Sequence, residues 1–194
     1  LLCAVFMAKF CPPKLHKIMK PAVDLLAGIP SIIYGLFGMV FFGISLHLGY
    51  SILCGSLTLT LMVLPIIIRT TQEALKTVPL GYRTGALGIG ATKWYMIRTI
   101  ILPSAMPGIV TAVILSVGRI VGESAALLFT AGSAYLLPKN LFSHVLTSGG
   151  TLTIQMYLSM SKADYGNAFA IALVLIVVVL AINALTKVAT KKLS

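Results

Sequence analysis

The chain has 194 residues, 58% of them hydrophobic and only 10% charged, with a mean hydropathy of +1.02 and a formal net charge of +11. A soluble domain carries about 25% charged residues, so this composition describes a helical integral membrane protein, and the lack of short period-two segments excludes an outer-membrane barrel. The basic excess does not imply nucleic acid, because the lysines and arginines sit in loops between apolar runs, where positive charge sets topology, and show no stacked aromatic/basic pattern of a nucleic-acid binder.

In chain order, residues 1–8 read as the tail of a spanning helix that starts before Leu1. Lys9, Lys14, Lys17 and Lys20 follow in the first polar stretch. A helix over residues 14–27 is expected to lie at the membrane interface, its lysines and Asp24 toward water. Leu15, Ile18, Met19, Val23 and Leu26 would face lipid or protein. Residues 30–47 form the first full span, with Pro30 in its first turn and Gly35, Gly38 and Gly43 allowing close helix approach. Residues 51–68 form the second, whose Ser56, Thr58 and Thr60 hydroxyls bond back to their own helix. Residues 69–102 are the longest polar region. Their periodicity predicts two or three short helices, broken at Pro79-Leu80-Gly81 and near Gly88–Gly90.

A third span runs from Pro103 to Gly132. Residues 133–166 hold a flexible break at Ser148-Gly149-Gly150 and a short helix over 152–160. Residues 167–186 are the last span. Twelve of the fifteen Lys and Arg residues lie in 9–20, 69–98 and 187–192, while Lys139 and Lys162 lie on the other side. Positive charge concentrates on the cytoplasmic face, so residues 9–20, 69–102 and the C-terminus are expected there. The expected architecture is an all-α, polytopic transmembrane bundle of four full spans plus a partial one. It forms a single domain over 1–194 that includes the loop 69–102.

Arg119 and Glu123 stand in the middle of the third span. Four residues apart, they would share one face of a continuous helix. Charged side chains at mid-membrane are costly and normally face a bundle interior or a water-filled path. The guanidinium is always charged and its fork of donors fits an oxyanion. Two readings of the pair follow: a gate, in which an anion competes with Glu123 for Arg119, or a static salt bridge between helices. Ser116 lies near the same face and could line the path. Gly118 and Gly122 form a small-residue pair suited to close packing against a neighbouring helix.

The loop before this span carries a second pattern. ABC importer permeases have a cytoplasmic loop with Glu-Ala-Ala, three residues, Gly, nine residues, Ile, one residue, Leu-Pro. Gly90, Ile100, Leu102 and Pro103 match at these spacings and Ala86 matches the second alanine, while Thr84 and Gly85 replace the glutamate and first alanine. More specifically, segments 28–38, 58–75, 90–94, 102–110 and 118–132 (the last GRIVGESAALLFTAG) resemble the permease of phosphate ABC importers. RTTQEAL and ESAALLFTAG favour the PstA-type subunit over its PstC-type partner. The resemblance implies a type I importer permease of six spanning helices, of which the first and most of the second would precede this sequence. It implies a homologous PstC-type permease, a cytoplasmic ATPase dimer docked on the loop, an extracytoplasmic phosphate-binding protein, and inorganic phosphate as substrate. It places the chain, multi-pass, in a bacterial or archaeal cytoplasmic membrane. ATP-Mg would be bound by the ATPase subunits, with no cofactor in this chain.

Other classes find little support. In GALGIGATKW the Gly-Lys-Ser/Thr succession of a phosphate loop is missing. His16, His47 and His144 are scattered, and Cys3, Cys11 and Cys54 have no metal-like or disulfide spacing. Four acidic residues provide no paired-carboxylate chemistry, so the chain reads as a transporter subunit and not an enzyme. The alternatives kept open are an importer permease for another oxyanion or small solute, and an ATP-independent channel or secondary carrier.

Overall fold

A computed structural model describes residues 1–134 and 144–193, with side chains described as far as Val188. Every regular element among the described residues is helical. In order these are α1 (Leu2–Lys9), α2 (Pro13–Gly28), α3 (Ser31–Ser45), α4 (Ile52–Thr77), α5 (Leu80–Gly88), α6 (Lys93–Ser104), α7 (Met106–Val121), α8 (Ala125–Thr130), α9 (Leu152–Ser161) and α10 (Tyr165–Leu193). The last half of α3 and the middle of α6 are wound as π-helix. Lys139, expected on the side opposite the basic loops, lies outside the described residues.

Of the expected spans, α4 and α10 are long and apolar enough to cross a membrane by themselves. At 1.5 Å per residue α3 is only about 22 Å and α7 about 24 Å long. Each reaches span length only together with the helix before it, and α7 is bent by 63° from α6. Helix α3 stops where His47 and Gly49 take positive φ values of 55° and 57°. The expected third span is not continuous: α7 ends at Val121, and α8 starts at Ala125. Conversely, α4 runs on past Ile68 to Thr77, because Ile68, Leu75 and then Val78 continue its buried stripe.

The chain divides into two compact units, one of residues 1–27, 65–116 and 185–194, the other of residues 28–64 and 117–184. In the first unit, Val5 of α1, Leu75 of α4, Ala86 of α5, Ile97 and Ile101 of α6 and Ile109 of α7 form one buried cluster. A smaller cluster of Ala4, Met7 and Ile68 receives Met19 and Val23 from α2. The loop helices are therefore packed into this unit. Pro79 precedes α5 in extended conformation (ψ 141°), and the Thr92 side chain accepts the Tyr95 N–H at 3.3 Å to start α6. Gly90, between them, has φ +83°, a left-handed backbone that only glycine adopts without strain.

In the second unit α3 lies against α8. Between helices in lipid the hydrophobic driving force is missing, so close packing and hydrogen bonds must hold them. A Cβ on Gly35 would stand 2.8 Å from the Ala126 Cα, and one on Gly38 would collide with the Thr58 side chain, so glycine sets the helix separation. The hydroxyls of Ser56, Thr58 and Thr60 bond back to Ile52, Cys54 and Ser56 carbonyls at 2.8, 2.9 and 2.8 Å. Residues Ser148–Gly150, expected as a free break, are tied down: the Ser148 Oγ and the Gly149 N–H both donate to the Ala131 carbonyl at 3.0 Å. Cys54 is buried, whereas Cys3 is exposed.

Candidate functional site

The GRIVGES segment holds the two charges expected at mid-membrane, and the backbone decides what they can do. Arg119 sits in the last turn of α7 and is exposed, whereas Glu123 lies past the helix end and is 8% exposed. The expectation that both share one helix face fails because the helix stops between them. No carboxylate of the described residues lies within ion-pair distance of Arg119.

Glu123 has other partners. Its Oε1 accepts the Ala126 N–H at 3.1 Å, which caps the first turn of α8. Its carbonyl accepts the Thr153 hydroxyl of α9 at 2.7 Å. Gly35 of α3 lies against Ala126 in the same turn. A carboxylate at a helix N-terminus is favoured by the exposed N–H groups and the positive end of the helix dipole. The Glu123 carboxylate is thus engaged by α8 and forms no ion pair with Arg119. Arg119 is near enough to the buried Tyr34 of α3 to act on it electrostatically.

The remaining residues singled out from sequence separate. Ser116 is 3% exposed and donates to its own Ala112 carbonyl at 2.8 Å. Gly118 has open space around it, and Gly122 meets only the carbonyls of Gly118 and Arg119 in its own helix. No other helix of the described chain packs on this glycine pair. Thr153 and Tyr34 were not signalled by the sequence, because each acts through a partner far away in the chain. Only the glycine content of α3 hinted at a close crossing.

The loop of residues 69–102 is a second candidate region. Ala86 is buried in the first unit's core, which holds α5 in place, while Thr84 and Gly85 face outward. Leu80, Tyr82, Leu87 and Ile89 are exposed on or beside α5, and Trp94 and Tyr95 on α6. Leu102 packs beside the core and Pro103 lies one turn before the bend into α7. Arg83 donates through Nη2 to the Leu75 carbonyl at 3.0 Å, tying α5 to the C-terminal end of α4. Burial, and after it the charge of Arg83, push the Lys9 amine down to about 8. Arg69 joins Asp24 of α2 at 3.4 Å and Glu73 of α4 at 3.5 Å.

Comparison with known proteins gives this arrangement a context. The family described as "Binding-protein-dependent transport system inner membrane component" matches residues 1–194. The chain is 40% identical over 129 residues to the "Probable ABC transporter permease protein YqgI" of Bacillus subtilis, covering 66% of this chain and 44% of that protein. It is 40% identical over 164 residues to the "Phosphate transport system permease protein PstA homolog" of Mycoplasma pneumoniae, covering 81% and 25%. It is 32% identical over 183 residues to the "Phosphate transport system permease protein PstA 1" of Mycobacterium tuberculosis (strain H37Rv), covering 94% and 59%. The chain thus spans between a quarter and about three fifths of the length of these relatives. A solved structure of the MetNI methionine ABC transporter in an inward-facing conformation shares the fold, with a TM-score of 0.77 at 22% identity, covering 100% of this chain and 85% of that one.

Proposed function

This chain belongs to the family of binding-protein-dependent transport system inner membrane components, and from that premise we propose that it is the PstA-type permease subunit of an ATP-driven phosphate importer. The observation that carries the substrate is the set of relatives, 30–40% identical, whose names are phosphate transport system permease proteins. The exposed Arg119, with its counter-charge Glu123 engaged elsewhere, supplies a suitable group for a tetrahedral oxyanion.

In this reading phosphate passes at the interface with a homologous PstC-type permease, and Arg119 is the group it meets at mid-membrane. Gly118 and Gly122 offer an open small-residue surface to that partner. The exposed apolar face of α5, with Thr84, Gly85 and Gly90 beside it, docks in a groove of a cytoplasmic ATPase, which binds ATP-Mg. The Arg83–Leu75 bond and the buried Ala86 make α5 move with α4, and Leu102-Pro103 passes the motion into α7. An extracytoplasmic binding protein delivers phosphate.

The test is uptake by vesicles holding the complete protein with its partner permease, ATPase and binding protein. Radiolabelled phosphate should enter only with ATP, and unlabelled sulfate, molybdate or methionine should not compete. Competition by one of these overturns the substrate; uptake without ATP overturns the coupling.

A further inference from the structure

The surface of α2 has four sides. On a 3.6-residue helix Lys17, Lys20 and Asp24 form one stripe, and Leu15, Ala22 and Leu26 stand roughly opposite. Met19 and Val23 lie between these stripes and pack on α1 and α4 through Ala4, Met7 and Ile68. Ile18 and Leu25 occupy the remaining side, away from the protein, and are 70% and 73% exposed. Lys14, Lys17 and Lys20 are all exposed, and no residue of α2 is fully buried.

The charges on this side of the first unit do not cancel. Asp24 and Glu73 are its acidic residues, and both are engaged by Arg69. That contact fixes the C-terminal half of α2 on α4 but leaves Lys14, Lys17 and Lys20 without a carboxylate among the described residues. A helix with a lysine stripe opposite an exposed apolar stripe, held at its flank to spanning helices, matches a membrane interface. There the apolar side enters the acyl boundary and the ammonium groups reach the headgroup phosphates.

We propose that α2 is a binding surface for anionic phospholipid headgroups, with Lys14, Lys17 and Lys20 contacting lipid phosphate while Leu15, Ile18, Leu25 and Leu26 sit among acyl chains. A lysine close to an anionic surface strengthens binding about fivefold, so three of them select anionic over zwitterionic lipid. The lysines' lack of a carboxylate favours this occupant over an uncharged protein surface.

The experiment places the complete protein, assembled with its partners, in phosphatidylcholine vesicles. These carry a small fraction of headgroup-photoactivatable phosphatidylglycerol or, in parallel, photoactivatable phosphatidylcholine. Cross-linked peptides are quantified by mass spectrometry. Residues 13–28 should be labelled more than about fivefold better by the phosphatidylglycerol probe. Replacing Lys14, Lys17 and Lys20 together by Gln should bring the two probes level, without changing labelling of α10. Replacing all three by Arg should keep the preference, which separates charge from damage to the helix. Equal labelling by both probes in the unmodified protein, or a preference that survives the Gln variant, overturns the proposal. So does labelling of residues 13–28 by neither probe, the result expected if a partner polypeptide covers them.

Discussion

Arg69 and Arg119 pose the same sequence pattern, an arginine followed four residues later by a glutamate, and the two regions resolve it differently. Arg69 and Glu73 lie within the unbroken α4 and approach to 3.5 Å, with Asp24 added at 3.4 Å. Arg119 and Glu123 straddle the end of α7, and the carboxylate turns to the first N–H groups of α8. An i,i+4 spacing brings side chains together only while the helix between them continues. Where it stops, the free amides of the next helix are the nearer and better-placed counter-charge for a carboxylate. Arg69 therefore has two carboxylate partners, whereas Arg119 has none among the described residues.

The sharpest way to break this contrast is to remove each guanidinium in turn. Arg119→Gln should lower phosphate uptake about 10- to 100-fold, the worth of a charge-assisted contact. Arg69→Gln, at an exposed pair, should change it by about threefold or less. Equal losses at the two positions would mean that Arg119 does not meet the substrate.

A smaller effect distinguishes the partners of Glu123. Glu123→Ala removes the cap of α8 and should destabilise the solubilised complex by about 1–2 kcal/mol, read as a lower Tm. Glu123→Gln, which keeps an acceptor oxygen for the Ala126 N–H, should cost less. Were the carboxylate's role to pair with Arg119, the Gln and Ala variants would be equally harmful.

The break itself can be challenged at Gly122. Its φ is not positive and a Cβ there meets only ordinary contacts, so Gly122→Ala favours continued helix by about 0.5–1 kcal/mol. In a double-mutant cycle the coupling between Arg119 and Glu123 should be near zero as the chain stands. It should rise to about 0.2–0.5 kcal/mol in the Gly122→Ala background. Coupling already present without that change would show that the pair forms across the break. The control is of the same small size: the same cycle for Arg69 and Glu73 should give about 0.3–0.5 kcal/mol, and zero would remove the contrast.

Much of the architecture was legible in the chain. Apolar run lengths marked α4 and α10, and Pro79 and Gly88–Gly90 marked both ends of α5. The lysine–leucine alternation of residues 14–27 marked α2. The back-bonded Ser56, Thr58 and Thr60 followed from the fact that a hydroxyl in an apolar helix has its own backbone as nearest acceptor. Helix ends were less legible. The periodicity of residues 69–77 marked a helix ending before Pro79, but not that it continues α4; the burial of Leu75 and Val78 against α1, α5 and α6 shows that it does. The expectation at Ser148–Gly150 failed for a related reason, since its hydrogen bonds go to Ala131, seventeen residues away from Ser148.

By itself the sequence determined that the chain is helical and membrane-embedded, and that two charges stand four residues apart in its third apolar run. These follow from composition, period and spacing, which are local properties. Only the tertiary structure decided that Glu123 belongs to α8 and Thr153, not to Arg119. That choice depends on where the backbone stops being helical. Gly35 pressed against Ala126 and the Thr153 hydroxyl on the Glu123 carbonyl hold that point, and both are supplied by segments distant in the chain.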